Sequence, residues 1–87
     1  MDITQILKGN YHKTLTSLGY TYMNDNPSQN MPISDIIELP STHTKWIKSG
    51  GKSLQAYIYK QKKLTIICVN VNEGGNLTRC DFYIKEN

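Results

Sequence analysis

The stretch SLQAYIYKQKKLTIICVNVNEGGNLTRCDFYI, residues 53–84, decides the fold. Its apolar period is two. Leu54, Ala56 and Ile58 alternate with Gln55, Tyr57 and Tyr59, and Cys80, Phe82 and Ile84 alternate with Arg79, Asp81 and Tyr83. Such alternation marks strands that bury one face. Between them LTIICVNV, residues 64–71, is apolar on both faces and reads as a central strand. The same period begins after Thr42, so four strands are predicted: 43–48, 54–60, 64–71 and 77–85. Their separators are SGGK, the Gln61-Lys62 turn and NEGGN, each with hairpin chemistry or hairpin length. Short connections force neighbouring strands to run antiparallel.

Upstream the period changes to that of a helix. Ile3, Ile6, Leu7, Tyr11, Leu15 and Leu18 recur at three- and four-residue steps and predict a helix over 3–18. Asp2 supplies an N-cap, Gly9-Asn10 is the weak point where the helix breaks if it breaks at all, and Gly19 is a left-handed stop. Tyr20 to Met23 has the composition of a short edge strand. Residues 24–42 read as a long loop, with one helical turn over Asp35 to Glu38 ended by Pro40. The predicted class is therefore α+β, an N-terminal helix packed on a four-stranded antiparallel meander, in a single small domain of 87 residues.

Composition narrows function more than it defines it. The net charge is +3, and nine of the ten basic residues are Lys, Arg79 being the exception. Readers of bases and phosphates lean on Arg for its bidentate fork. The abundance of Lys, Asn, Ile and Tyr fits a low-GC bacterial or phage genome. No window approaches the ~20 apolar residues of a membrane span, and the start lacks the pattern of a signal peptide. The cytoplasm is the expected compartment, with no membrane partner.

The meander is expected to gather Lys45, Lys60, Lys62, Lys63 and Lys85 at one end of the sheet. Tyr57, Tyr59 and Tyr83 are expected to share the face opposite Leu54 and Phe82. These eight residues form the candidate partner-binding set. Trp46, the single Trp, is expected in the core beneath the helix, with an interface anchor as the alternative. A three-residue loop over Glu73 to Gly75 would set Cys68 opposite Cys80, whereas a two-residue Gly74-Gly75 loop would set Val69 opposite Cys80. In either register Cys68 and Cys80 read as buried thiols, with a cross-strand disulfide or a metal pair as the alternatives, and no cofactor is implied.

Catalytic signals are thin. His12 reads as a solvent-facing helix residue. His43, Glu38, Arg79 and a lysine could together supply the acid, base and phosphate clamp of a metal-independent ribonuclease, but no spacing requires it. The expected function is a small non-enzymatic binding protein of the inhibitor, immunity or adaptor type that occludes a protein partner. The alternatives are nucleic-acid binding through the lysine edge and a ribonuclease toxin. An outer strand could also pair with a second copy to form a homodimer.

Overall fold

The structure, a computed structural model, describes residues 2–23, 41–60 and 62–87. Within them the chain is α+β: two short N-terminal helices lie on a sheet of six strands. The order is α1 (Ile3–Lys8), α2 (Tyr11–Ser17), β1 (Thr21–Tyr22), β2 (Ser41–His43), β3 (Ile47–Ser49), β4 (Lys52–Lys60), β5 (Leu64–Glu73) and β6 (Asn76–Glu86). The predicted turn over 35–38 and most of the predicted loop lie outside the described residues. The last two residues of that loop, Ser41 and Thr42, belong to β2.

The single predicted helix is two, divided at Gly9-Asn10. The Asp2 carboxylate accepts from the Thr4 amide at 3.1 Å and opens α1. The Asn10 side chain accepts from the Lys13 amide at 3.1 Å and opens α2. Asn is a poor interior residue because its amide competes for the backbone, and the same competition makes it a good cap. At the far end Gly19 sits at φ 98°, and the Tyr20 amide donates to the Leu15 carbonyl at 3.0 Å. This left-handed stop returns Tyr20 to the core beside Leu15.

The sheet order is β1-β6-β5-β4-β2, with β3 also paired to β4, and each of these pairings is antiparallel. The strand expected over 43–48 is thus broken in two along one side of β4. At the break the Thr44 hydroxyl stands in for a ladder carbonyl: it accepts from the Ala56 amide at 3.1 Å, while the Thr44 amide donates to the Ala56 carbonyl at 2.9 Å. Thr44 is buried and its neighbour Trp46 is 48% exposed. The expectation of a core Trp is overturned, because Ile47 rather than Trp46 packs inward against the main core.

One residue sets the faces of β6. The hairpin closes through Gly74-Gly75, with φ 60° and 86°, and Glu73 stands opposite Asn76. Both glycines at positive φ give the tight two-residue turn that matches strand twist. The register then shifts: Asn72 faces Leu77, but Val71 faces Arg79. Thr78 is the extra residue of a bulge, and its hydroxyl donates to the Val71 carbonyl at 3.3 Å. A one-residue shift turns every later side chain to the other face. Cys68 therefore faces Phe82, and Asn70 faces Cys80, which corrects both predicted registers.

The core accordingly has two sides. Leu7, Leu15, Tyr20, Leu54, Ala56, Ile67, Val69, Val71 and Tyr83 form the cluster beneath the helices. Cys68, Cys80 and Phe82 form a second cluster on the other face, packed by Met23, Tyr57 and Tyr59. β5 runs between them and is buried on both sides, as its unbroken apolar run requires.

Candidate binding site

The two faces of the sheet carry different chemistry. His43 faces Tyr57 across β2 and β4, and its ring stacks on Tyr57 at 5.1 Å between centroids and 23° between planes. Tyr57 continues to Tyr59 at 6.4 Å and 18°. The three rings make a short ladder on the face away from the helices, over the cluster of Cys68, Cys80 and Phe82. His43 is exposed, whereas Tyr57 and Tyr59 are half-buried. Burial pushes the Tyr59 phenol above its ordinary pKa.

Tyr83 does not join them. It is fully buried beneath the helices, where the Thr78 bulge has turned it. Leu54 and Phe82, expected on one face, are likewise separated: Phe82 lies with Tyr57.

The lysine set is also divided. Lys60, Thr65 and Lys85 stand in one row across β4, β5 and β6, and Lys62 and Lys63 occupy the adjoining hairpin tip. These four lysines share one end of the sheet. Lys85 is partly engaged, donating to the Leu18 carbonyl at 2.9 Å and lying 5.6 Å from the Tyr20 ring centre. Lys45 is elsewhere. The β3–β4 turn pairs Ser49 with Lys52 and Ile47 with Leu54, so Lys45 falls beside the middle of β4. Five residues of strand, roughly 17 Å, separate that level from Lys60.

The most connected polar group was not anticipated. Asp81, 2% exposed, accepts from the Tyr11 hydroxyl at 2.6 Å and from the Tyr22 hydroxyl at 3.2 Å. Arg79 donates to it through Nε at 3.1 Å and forms an ion pair through Nη2 at 3.0 Å. Arg79 Nη2 also donates to the Tyr11 oxygen at 3.0 Å. Beside them His12 Nδ1 lies 2.9 Å from the Tyr83 hydroxyl, and its ring meets the edges of Tyr22 and Tyr83. His12 thus sits on the aromatic cluster and does not simply face solvent. The network ties α2 to β1 and β6. Only the alternation of Arg79, Asp81 and Tyr83 hints at it in sequence, because Tyr11 lies 70 residues away.

Burial, the Asp81 hydrogen bond and the nearby carboxylate push Tyr11 up to about 12, against a partial offset from Arg79. The unfolded phenol ionises near ~10. Tyr11 therefore contributes a stability that is constant below pH ~10 and is lost as pH rises toward ~12, because the unfolded chain releases its proton first. Urea unfolding followed from pH 8 to 12 is expected to show the midpoint falling through that window. Tyr11→Phe is expected to be weaker at neutral pH but to lose less over the same interval. An unchanged slope in the variant would assign the alkaline loss to other groups.

These positions decide what the candidate sets can do. His43 and Arg79 lie on opposite faces of the sheet: His43 is in register with Tyr57 and Cys68, Arg79 with Val71 and Leu54. The sheet therefore keeps these two apart, and Glu38, a third member of that set, lies outside the described residues. Among the described residues no group of three or more His, Cys, Asp or Glu is placed to hold a metal ion, and no helix is long and apolar enough to cross a membrane. Comparison with family models, curated proteins and solved structures finds no significant match to this chain.

Proposed function

We propose that the chain is a small non-enzymatic binding protein of the cytoplasm that acts by occluding a protein partner, in the manner of an inhibitor, immunity or adaptor protein. The observation that carries this reading is Trp46, 48% exposed at the break between β2 and β3. An indole left half in water costs little when free and supplies a large desolvation gain when covered, which is why Trp is frequent among interface hot spots. The stacked rings of His43, Tyr57 and Tyr59 offer a pre-ordered aromatic contact on the outer sheet face. Tyr83 leaves the proposed set, since it supports the core beneath the helices.

A second reading draws on Lys60, Lys62, Lys63 and Lys85, which share one end of the sheet. A cationic end of this kind suits nucleic-acid phosphates, and counterion release would make that binding steeply salt-dependent.

One experiment separates the two. Tagged wild-type protein, Trp46→Ala, Tyr57→Glu and Lys60→Gln/Lys62→Gln are each used to recover partners from extract of the source cell, with and without nuclease treatment. Protein occlusion predicts a stoichiometric partner that survives nuclease and is lost with Trp46→Ala and Tyr57→Glu while circular dichroism stays native. A partner kept by both of these folded variants sinks the proposed surface. Recovery that vanishes with nuclease and with the lysine variant moves the assignment to nucleic acid.

A further inference from the structure

Cys68 and Cys80 are brought into direct contact by the bulge at Thr78. Cys80 stands opposite Asn70 and Cys68 opposite Phe82, so the two are diagonal neighbours on one face of the β5–β6 hairpin. Their Sγ atoms are 2.8 Å apart, and both cysteines are free. The Asn70 side-chain oxygen accepts from Cys80 at 3.1 Å and from Cys68 at 3.6 Å, which holds both thiols on the same side. The pair is 7% and 5% exposed and packed by Phe82, Met23, Tyr57 and Tyr59.

We propose that Cys68 and Cys80 are an oxidative modification site that closes to a cross-strand disulfide when the protein meets a small peroxide. The contact is only about 0.8 Å longer than a sulfur–sulfur bond. Closure needs the two sulfurs to approach by that amount.

The contact between the two sulfurs can be donated from either thiol, so either sulfur can attack first, with the same balance. In one of the two orders Cys80 is the nucleophile. Its thiolate attacks one oxygen of hydrogen peroxide, breaking the O–O bond and giving a sulfenic acid and hydroxide. The Cys68 sulfur then attacks the Cys80 sulfur and breaks its S–O bond, forming the disulfide and expelling a second hydroxide. The protons of the two thiols convert both hydroxides to water. Two thiols and one peroxide thus become one disulfide and two waters, with the two sulfurs oxidised and the peroxide oxygens reduced. Because the resolving sulfur is already in contact, capture of the sulfenic acid is intramolecular and outruns further oxidation. The tight packing favours hydrogen peroxide over bulky oxidants.

This inference is independent of the proposed binding role, since it is read without a partner. Purified reduced protein is treated with excess hydrogen peroxide, then denatured for thiol titration and intact-mass measurement. The expected result is loss of both thiols, a mass lower by two hydrogens, no covalent dimer and full reversal by reductant. In Cys68→Ser the Cys80 sulfenic acid has no resolving thiol, so a dimedone adduct on Cys80 is expected. Wild-type protein that gains two or three oxygens on one cysteine, forms intermolecular disulfides, or keeps both thiols under conditions that oxidise free cysteine would overturn the assignment. Absence of an adduct in both folded single variants, Cys68→Ser and Cys80→Ser, would overturn the sulfenic acid step.

Discussion

Asp81→Ala is expected to cost about 3–5 kcal/mol, because the Tyr11 and Tyr22 hydroxyls lose a charged acceptor and each such bond contributes ~1.5–3 kcal/mol. A small domain has only ~5–15 kcal/mol in total, so the variant is expected to be partly unfolded at 37 °C. The carboxylate is 2% exposed and receives the Tyr11 and Tyr22 hydroxyls together with two donor atoms of Arg79. Its loss takes the shared acceptor from three side chains that converge from α2, β1 and β6. Arg79→Ala is expected to cost less, because the arginine side chain is 47% exposed and leaves the two phenols their acceptor. Equilibrium urea unfolding of both variants tests this order. A cost below about 1 kcal/mol for Asp81→Ala would show that water replaces the network without loss.

Tyr83→Ala is expected to cost about 3–5 kcal/mol as well, the range for deleting a buried aromatic ring. The ring is fully buried in one cluster with Leu7, Leu15, Ile67 and Val69, and its edge-on partners Tyr11 and His12 and its tilted partner Tyr22 lose their common support. Tyr57→Ala serves as the contrast. That ring is half-buried on the opposite face, and its truncation is expected to cost less than half as much. Thermal unfolding of the pair therefore reads the strand register directly. If the two variants melt together, the bulge is absent in solution and β6 lies in the register that a plain two-residue turn would give.

This contrast marks how far the sequence could be read. The strands were legible wherever period two persisted, and the burial of β5 on both sides was legible from LTIICVNV. The face of Tyr83 was not. It depends on one extra residue at Thr78, and Thr is a good strand former that carries no Gly or Pro signal of a bulge. The break at Thr44 to Trp46 was hidden for a similar reason: His-Thr-Lys-Trp-Ile alternates like an unbroken strand, and only the pairing with Ala56 shows a hydroxyl in the ladder.

For the candidate site, the charges were legible but their addresses were not. Lys60, Lys62, Lys63 and Lys85 follow from hairpin topology alone. Lys45 required the register of a turn whose partner strand is longer than the one it serves. The Asp81 network required contacts across 59 and 70 residues of chain, beyond the reach of local spacing. His12 illustrates the same limit. Its place on a helix was legible, and the tyrosines that meet it were supplied by β1 and β6.

The side of β4 shared by β2 and β3 offers a broken template to any strand arriving from outside. Each described segment there is three residues long, and between them the indole of Trp46 stands where a cross-β zipper would need a flat, repeating row. Fibril growth by stacking copies along that side would have to bridge the gap with every added chain, so the interruption protects a lysine-rich, strand-dominated protein from polymerising at the same place where it leaves an aromatic side chain open to water.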